Sequence, residues 1–64
     1  MLIDEEIKKI LAAIEILNDD DRSFYYRFSY AIDIEGIFKI KEILAREYDI
    51  KTKFFEDRIY QMEF

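Results

Sequence analysis

The sequence predicts a small α+β domain of two layers, with elements in the order α-β-α-β-β. Three patterns carry that prediction. Apolar residues recur at helical spacing over residues 4–17. Apolar and polar residues alternate without a break from Ser23 to Ile34. Two further alternating runs fill residues 50–64. At 64 residues the chain is expected to form one domain, 1–64. A chain this short hides only about 60% of the surface its unfolded form exposes. Its 52% hydrophobic and 17% aromatic content supplies the dense core this demands, and is too high for a disordered segment.

Residues 4–17 read as the first helix. Asp4 is the expected N-cap, with Glu5 and Glu6 in the first turn, where the helix dipole favours acids. Ile3, Ile7, Ile10, Leu11, Ile14 and Leu17 form one stripe at the 3.6-residue period. Asn18-Asp19-Asp20-Asp21 ends it. Ile16 falls off the stripe, on the polar side, which hints at a second contact.

Residues 23–34 read as one strand. Phe24, Tyr26, Phe28, Tyr30, Ile32 and Ile34 are expected to face the core, alternating with Ser23, Tyr25, Arg27, Ser29, Ala31 and Asp33. Such a strand runs roughly 36–40 Å, about twice the usual length. A domain of this size has a radius of gyration of about 11 Å. The strand therefore bends, or it projects and pairs with another chain.

Residues 35–48 read as a second helix, with Asp33 as N-cap and Ile32 and Ile37 as a hydrophobic staple. Ile37, Ile40, Leu44 and Tyr48 make its stripe. The competing reading turns at Asp33–Gly36 into a strand, giving one N-terminal helix on a four-stranded antiparallel meander. The strong helix formers in Lys41–Glu47 favour the helix. Residues 50–64 read as a hairpin with a three-residue loop, Phe55–Asp57, pairing Phe54 with Arg58, Thr52 with Tyr60 and Ile50 with Met62. Asp57 suits the left-handed position of such a loop. A strand–helix–strand order implies a right-handed crossover with parallel pairing. The expected architecture is a small three-stranded sheet with both helices on one face.

The chemistry open to the chain is narrow. Without cysteine there is no disulfide framework or thiolate metal site, and without histidine the usual general base and imidazole ligand are missing. Gly36 is the single glycine, which excludes glycine-rich phosphate loops. Ser23, Ser29 and Thr52 have no histidine to activate them. The sequence reads as non-enzymatic, with no cofactor and no metal. The run Asp19-Asp20-Asp21 fails as a calcium loop, because the glycine is missing and Tyr30 stands at the twelfth position counted from Asp19. No apolar run is long enough for a membrane span or a signal-peptide core, so a cytoplasmic location is expected.

Charge is unevenly spread. Residues 1–21 hold seven acids against Lys8 and Lys9, which accounts for the whole net charge of −5; residues 22–64 are balanced. Glu15, Asp19, Asp20 and Asp21 form the candidate face for a basic protein surface. The outer sheet face is expected to show Tyr25, Arg27, Lys51, Lys53, Phe55 and Ile59. Together with Ile16 these are the candidates for self-association or sheet-face contact, since an exposed apolar patch with Tyr and Arg is what contact hot spots use. Three function classes follow. The leading one is a small acidic protein-binding module, an inhibitor, adaptor or regulator acting by contact, as a homodimer; an inhibitor of phage type directed at a nucleic-acid-handling protein would fit. The second is a single-strand nucleic-acid module using the aromatic and basic face. The third is a structural or designed miniprotein without ligand.

Overall fold

A computed structural model describes residues 2–64. The elements follow in the expected order: α1 (Leu2–Glu15), β1 (Ser23–Arg27), α2 (Ile34–Tyr48), β2 (Lys51–Glu56) and β3 (Ile59–Glu63). They build a two-layer α+β domain. Both helices lie on one face of a three-stranded antiparallel sheet of order β1-β3-β2. The meander alternative is not adopted. The radius of gyration is 11.0 Å.

The α1 stripe turns inward as its spacing requires. Ile7 and Ile10 are buried, and Ile3, Leu11 and Ile14 pack against them at the margin. Asp4 lies inside the first turn rather than capping it, because the helix is already formed at Leu2. Ile16 is left 85% exposed on the far side.

The long strand is not formed. β1 stops at Arg27, matching the five residues of its partner β3. Phe28 still reaches back to the hairpin, its N–H donating to Arg58 O at 3.0 Å. The chain then turns, with Ile32 N–H donating to Ser29 O at 3.0 Å. Phe28 and Ile32 are buried as expected, but Tyr30 is 68% exposed and Ile34 faces out from the first turn of α2. The alternation continues past Arg27, but no third-strand surface exists for it to lie on. The helix start competes for the same residues and wins. Asp33 takes an extended conformation and its Oδ1 accepts from Gly36 N–H at 2.7 Å. Ile32 and Ile37, the staple pair, are both buried. Gly36 is required here, because a Cβ would stand 2.8 Å from Ile32 Cγ2 and 3.2 Å from Asp33 Oδ1. At the other end Asp49 adopts the left-handed conformation, φ 56°, and Ile50 N–H donates to Leu44 O at 2.9 Å.

The hairpin register differs from the expected one by two residues. Phe54 pairs with Tyr60 and Thr52 with Met62, not with Arg58 and Tyr60. Glu56 pairs with Ile59, leaving Asp57 and Arg58 as the loop, with Asp57 left-handed at φ 49°. A bulge at Phe55 lets this short loop keep Thr52, Tyr60 and Met62 on the buried face. β1 and β2 run parallel, but β3 lies between them, so the expected parallel pairing is not made. The core joins Ile7 and Ile10 of α1, Ile37, Ile40 and Leu44 of α2, and Phe28, Ile50, Tyr60 and Met62 beneath them. Phe28 is fully buried, with its ring edge-on to Tyr26 at 5.2 Å and to Tyr60 at 5.4 Å.

Candidate functional site

The register fixes which side chains share the uncovered face of the sheet. Odd positions of β1 stand opposite odd positions of β3, and these oppose Lys51 and Lys53 of β2. Ser23, Tyr25, Arg27, Lys51, Lys53, Ile59, Gln61 and Glu63 therefore lie on the face away from the helices. Phe55 joins them at the bulge, and the bulge brings Glu56 to the position facing Ile59. Tyr25 and Phe55 belong to opposite edges, yet their rings meet across the central strand with centroids 5.0 Å apart at 57°. They remain 58% and 54% exposed. Ile59 is half-buried on the same face. The result is an apolar centre with a polar rim. Lys53 Nζ sits 2.9 Å from Glu63 Oε1, and Gln61 Nε2 donates to Ser23 Oγ at 3.3 Å. Arg27, Lys51 and Lys53 face Glu56 and Glu63, so the face is nearly balanced in charge.

Of the sequence candidates, Tyr25, Arg27, Lys51, Lys53, Phe55 and Ile59 are thus gathered on one surface. Ile16 is not among them; it stands exposed in the turn just after Glu15, the last residue of α1. Glu15 ends α1, and Asp19, Asp20 and Asp21 form the turn that follows. That turn is closed by its own bonds. Asn18 N–H donates to Asp21 Oδ2 at 3.2 Å, and Asp21 N–H to Asn18 O at 3.0 Å. The Arg22 guanidinium donates to the carbonyls of Asp19 and Asp21. It brings a positive charge against the acidic run, while the carboxylates of Asp19 and Asp20 stay exposed.

Glu6 was missed as anything but a first-turn acid. It is 3% exposed, and its carboxylate accepts from Tyr26 Oη at 3.0 Å and from Ser29 N–H at 2.8 Å. It ties α1 to β1 and to the turn beyond it. Burial, reinforced by the hydrogen bond and charge of Glu6, pushes the Tyr26 phenol well above its ordinary range. The signal was present: Glu6 lies three residues after Ile3 and four before Ile10, inside the apolar stripe. A second missed cluster clamps the turn after β1. The Arg58 guanidinium lies 5.0 Å above the Tyr30 ring and donates to the carbonyls of Ser29 and Ile32, while Tyr30 Oη donates to Asp57 Oδ2 at 2.7 Å.

Among the described residues, no group of three acidic, histidine or cysteine side chains converges to hold a metal ion. No described helix is long and apolar enough to cross a membrane. No protein-family model, no curated protein and no solved structure matches the chain.

Proposed function

We propose that this chain is a small, non-enzymatic, cytoplasmic protein-binding module that acts through the uncovered face of its sheet, as an inhibitor, adaptor or regulator. The observation that carries this reading is the meeting of Tyr25 and Phe55 over the central strand, beside Ile59. Two exposed aromatic rings held in one place by backbone register form a rigid anchor that loses little side-chain entropy on binding. Their polar rim of Arg27, Lys51, Lys53, Gln61 and Glu63 matches the anatomy of a contact patch. The charge balance supports a protein partner over a nucleic acid, because phosphate binding draws on a local excess of positive charge. The exposed carboxylates of Asp19 and Asp20, with Glu15, supply a long-range field that favours approach to a partner with a basic periphery.

The test compares immobilised parent with the double variant Tyr25→Ala/Phe55→Ala in capture from cell extract, alongside binding to single-stranded oligonucleotides. A protein retained by the parent and lost by the folded double variant is the expected result. Capture unchanged by the double variant overturns the assignment of the face. Oligonucleotide binding at physiological salt that disappears in the variant moves the module to the nucleic-acid class.

A further inference from the structure

The two edges of the sheet are unequal. Phe28 N–H donates to Arg58 O, and Phe64 N–H to Arg22 O. Residues of an antiparallel ladder turn alternately toward and away from their partner. With Arg22 and Phe28 turned toward β3, Phe24 and Tyr26 are turned the same way. Ser23, Tyr25 and Arg27 then direct their N–H and C=O groups to the open side of β1. Among the described residues no turn, loop or cap bond satisfies them. The same alternation along β3 leaves Thr52 and Phe54 as the outward residues of β2. That edge is guarded: Lys51 and Lys53 flank it, and the bulge between Phe54 and Glu56 breaks its regularity. β1 has no bulge, no lysine and no proline.

We propose that β1 is the seat of a second copy of this chain, paired antiparallel with its own β1 about a two-fold axis at Tyr25, so that two three-stranded sheets become one of six. The outward groups fix the register. Tyr25 opposes the partner's Tyr25, and Ser23 opposes the partner's Arg27 at both ends. All three outward residues then find hydrogen-bonding partners, and no like charges face one another. The acidic turn Asp19–Asp21 precedes Ser23, so each copy brings it to the end of the ladder where the partner's Arg27 stands. The charges of the two copies are complementary there. On the covered face Phe24 opposes the partner's Tyr26, an aromatic cross-strand pair. On the open face the Tyr25–Phe55 pair of each copy is continued by that of the other. One isologous patch suffices for closure.

The experiment uses the full chain. Sedimentation equilibrium over micromolar to millimolar concentration is expected to show a mass rising toward twice 7.9 kDa. Tyr25→Pro removes an N–H that bonds nothing within the monomer, which edge strands tolerate. It is expected to remain at the single-chain mass with its circular dichroism unchanged, whereas Tyr25→Ala, which keeps the N–H, still dimerises. If Tyr25→Pro fails to fold, the parent alone decides. Amide exchange at Ser23, Tyr25 and Arg27 is expected to speed up on dilution while that at Thr52 and Phe54 stays constant. A mixed-label sample is expected to give an intermolecular contact between Phe24 Hα and Tyr26 Hα. A parent that is a single chain at every concentration overturns the proposal. So does a folded Tyr25→Pro dimer, or concentration-dependent protection at Thr52 and Phe54 alone. Partner capture left unchanged by Tyr25→Ala/Phe55→Ala, in a parent that dimerises, fails the binding face and leaves this edge standing.

Discussion

The two faces of the sheet carry similar side chains and put them to different uses. Under the helices, Phe24, Tyr26, Thr52, Tyr60 and Met62 lean into a core whose centre is fully dry at Phe28, Ile10, Ile40, Leu44 and Met62. On the other side, Tyr25 and Phe55 meet just as closely but keep more than half of their area in water, with Ile59 half-buried on the same face. Apolar area contributes to folding only where something covers it. The covered face therefore carries most of the fold's stability, and the open face is free to be spent on contact. A chain of this size has few kcal/mol of stability in total, so a substitution on the covered face should threaten the fold where one on the open face should not.

The largest effect is expected from Phe28→Ala, which removes a fully buried ring and leaves a cavity between Tyr26 and Tyr60. A loss of about 3–5 kcal/mol in urea unfolding would match such sites; a loss below about 1 kcal/mol would mean that the covered face is not the main source of stability. Tyr26→Phe comes next, costing about 1–2 kcal/mol because Glu6 loses a donor to a buried carboxylate. This variant also has a pH signature. The phenol is held neutral in the fold, so its contribution is complete below the unfolded value of about 10 and is lost as pH rises through the raised folded value. The stability gap between parent and Tyr26→Phe should therefore narrow in alkali. A gap that widens there would reverse the sign. On the open face, the coupling between Tyr25 and Phe55 in a double-mutant cycle should be about 0.5–1.5 kcal/mol. Smallest of all, Lys53→Gln breaks an exposed ion pair and should shift stability by only a few tenths of a kcal/mol. A large loss at Lys53 would show that the open face is structural after all.

The comparison also bears on what could be read from residues alone. Both helices and the two hairpin strands were legible, because the periods of 3.6 and 2 are local properties of α1, α2, β2 and β3. The burial of Ile10, Phe28, Ile40 and Leu44 followed from those periods. The segment 23–34 was misleading for a non-local reason. Its alternation runs on past Arg27, but a strand lasts only as long as its neighbour, and β3 offers five residues. Ile32 fits a strand and a helix staple equally well by type, and the Asp33 cap on Gly36 N–H together with the buried staple to Ile37 decides between them. The hairpin register escaped for a similar reason: a bulge at Phe55 allows a loop that regular pairing would forbid. The open-face group was legible through parity alone, apart from Glu56, which the bulge brought in. That Tyr25 and Phe55 touch was not legible, since nothing in the sequence places β3 between β1 and β2.

That position of β3 also governs when the sheet can come into being. β1 and β2 are the flanking strands, and both precede in the chain the strand that joins them. Neither pairs with the other, so during synthesis the first two strands have no partner until residues 59–63 have emerged. The helices can form as they appear, but every ladder hydrogen bond waits for the last strand of the five elements. Assembly is thus a late, concerted event, in which the hairpin closes locally and β1 must be brought in across some thirty intervening residues, a long loop by the standards that set folding speed.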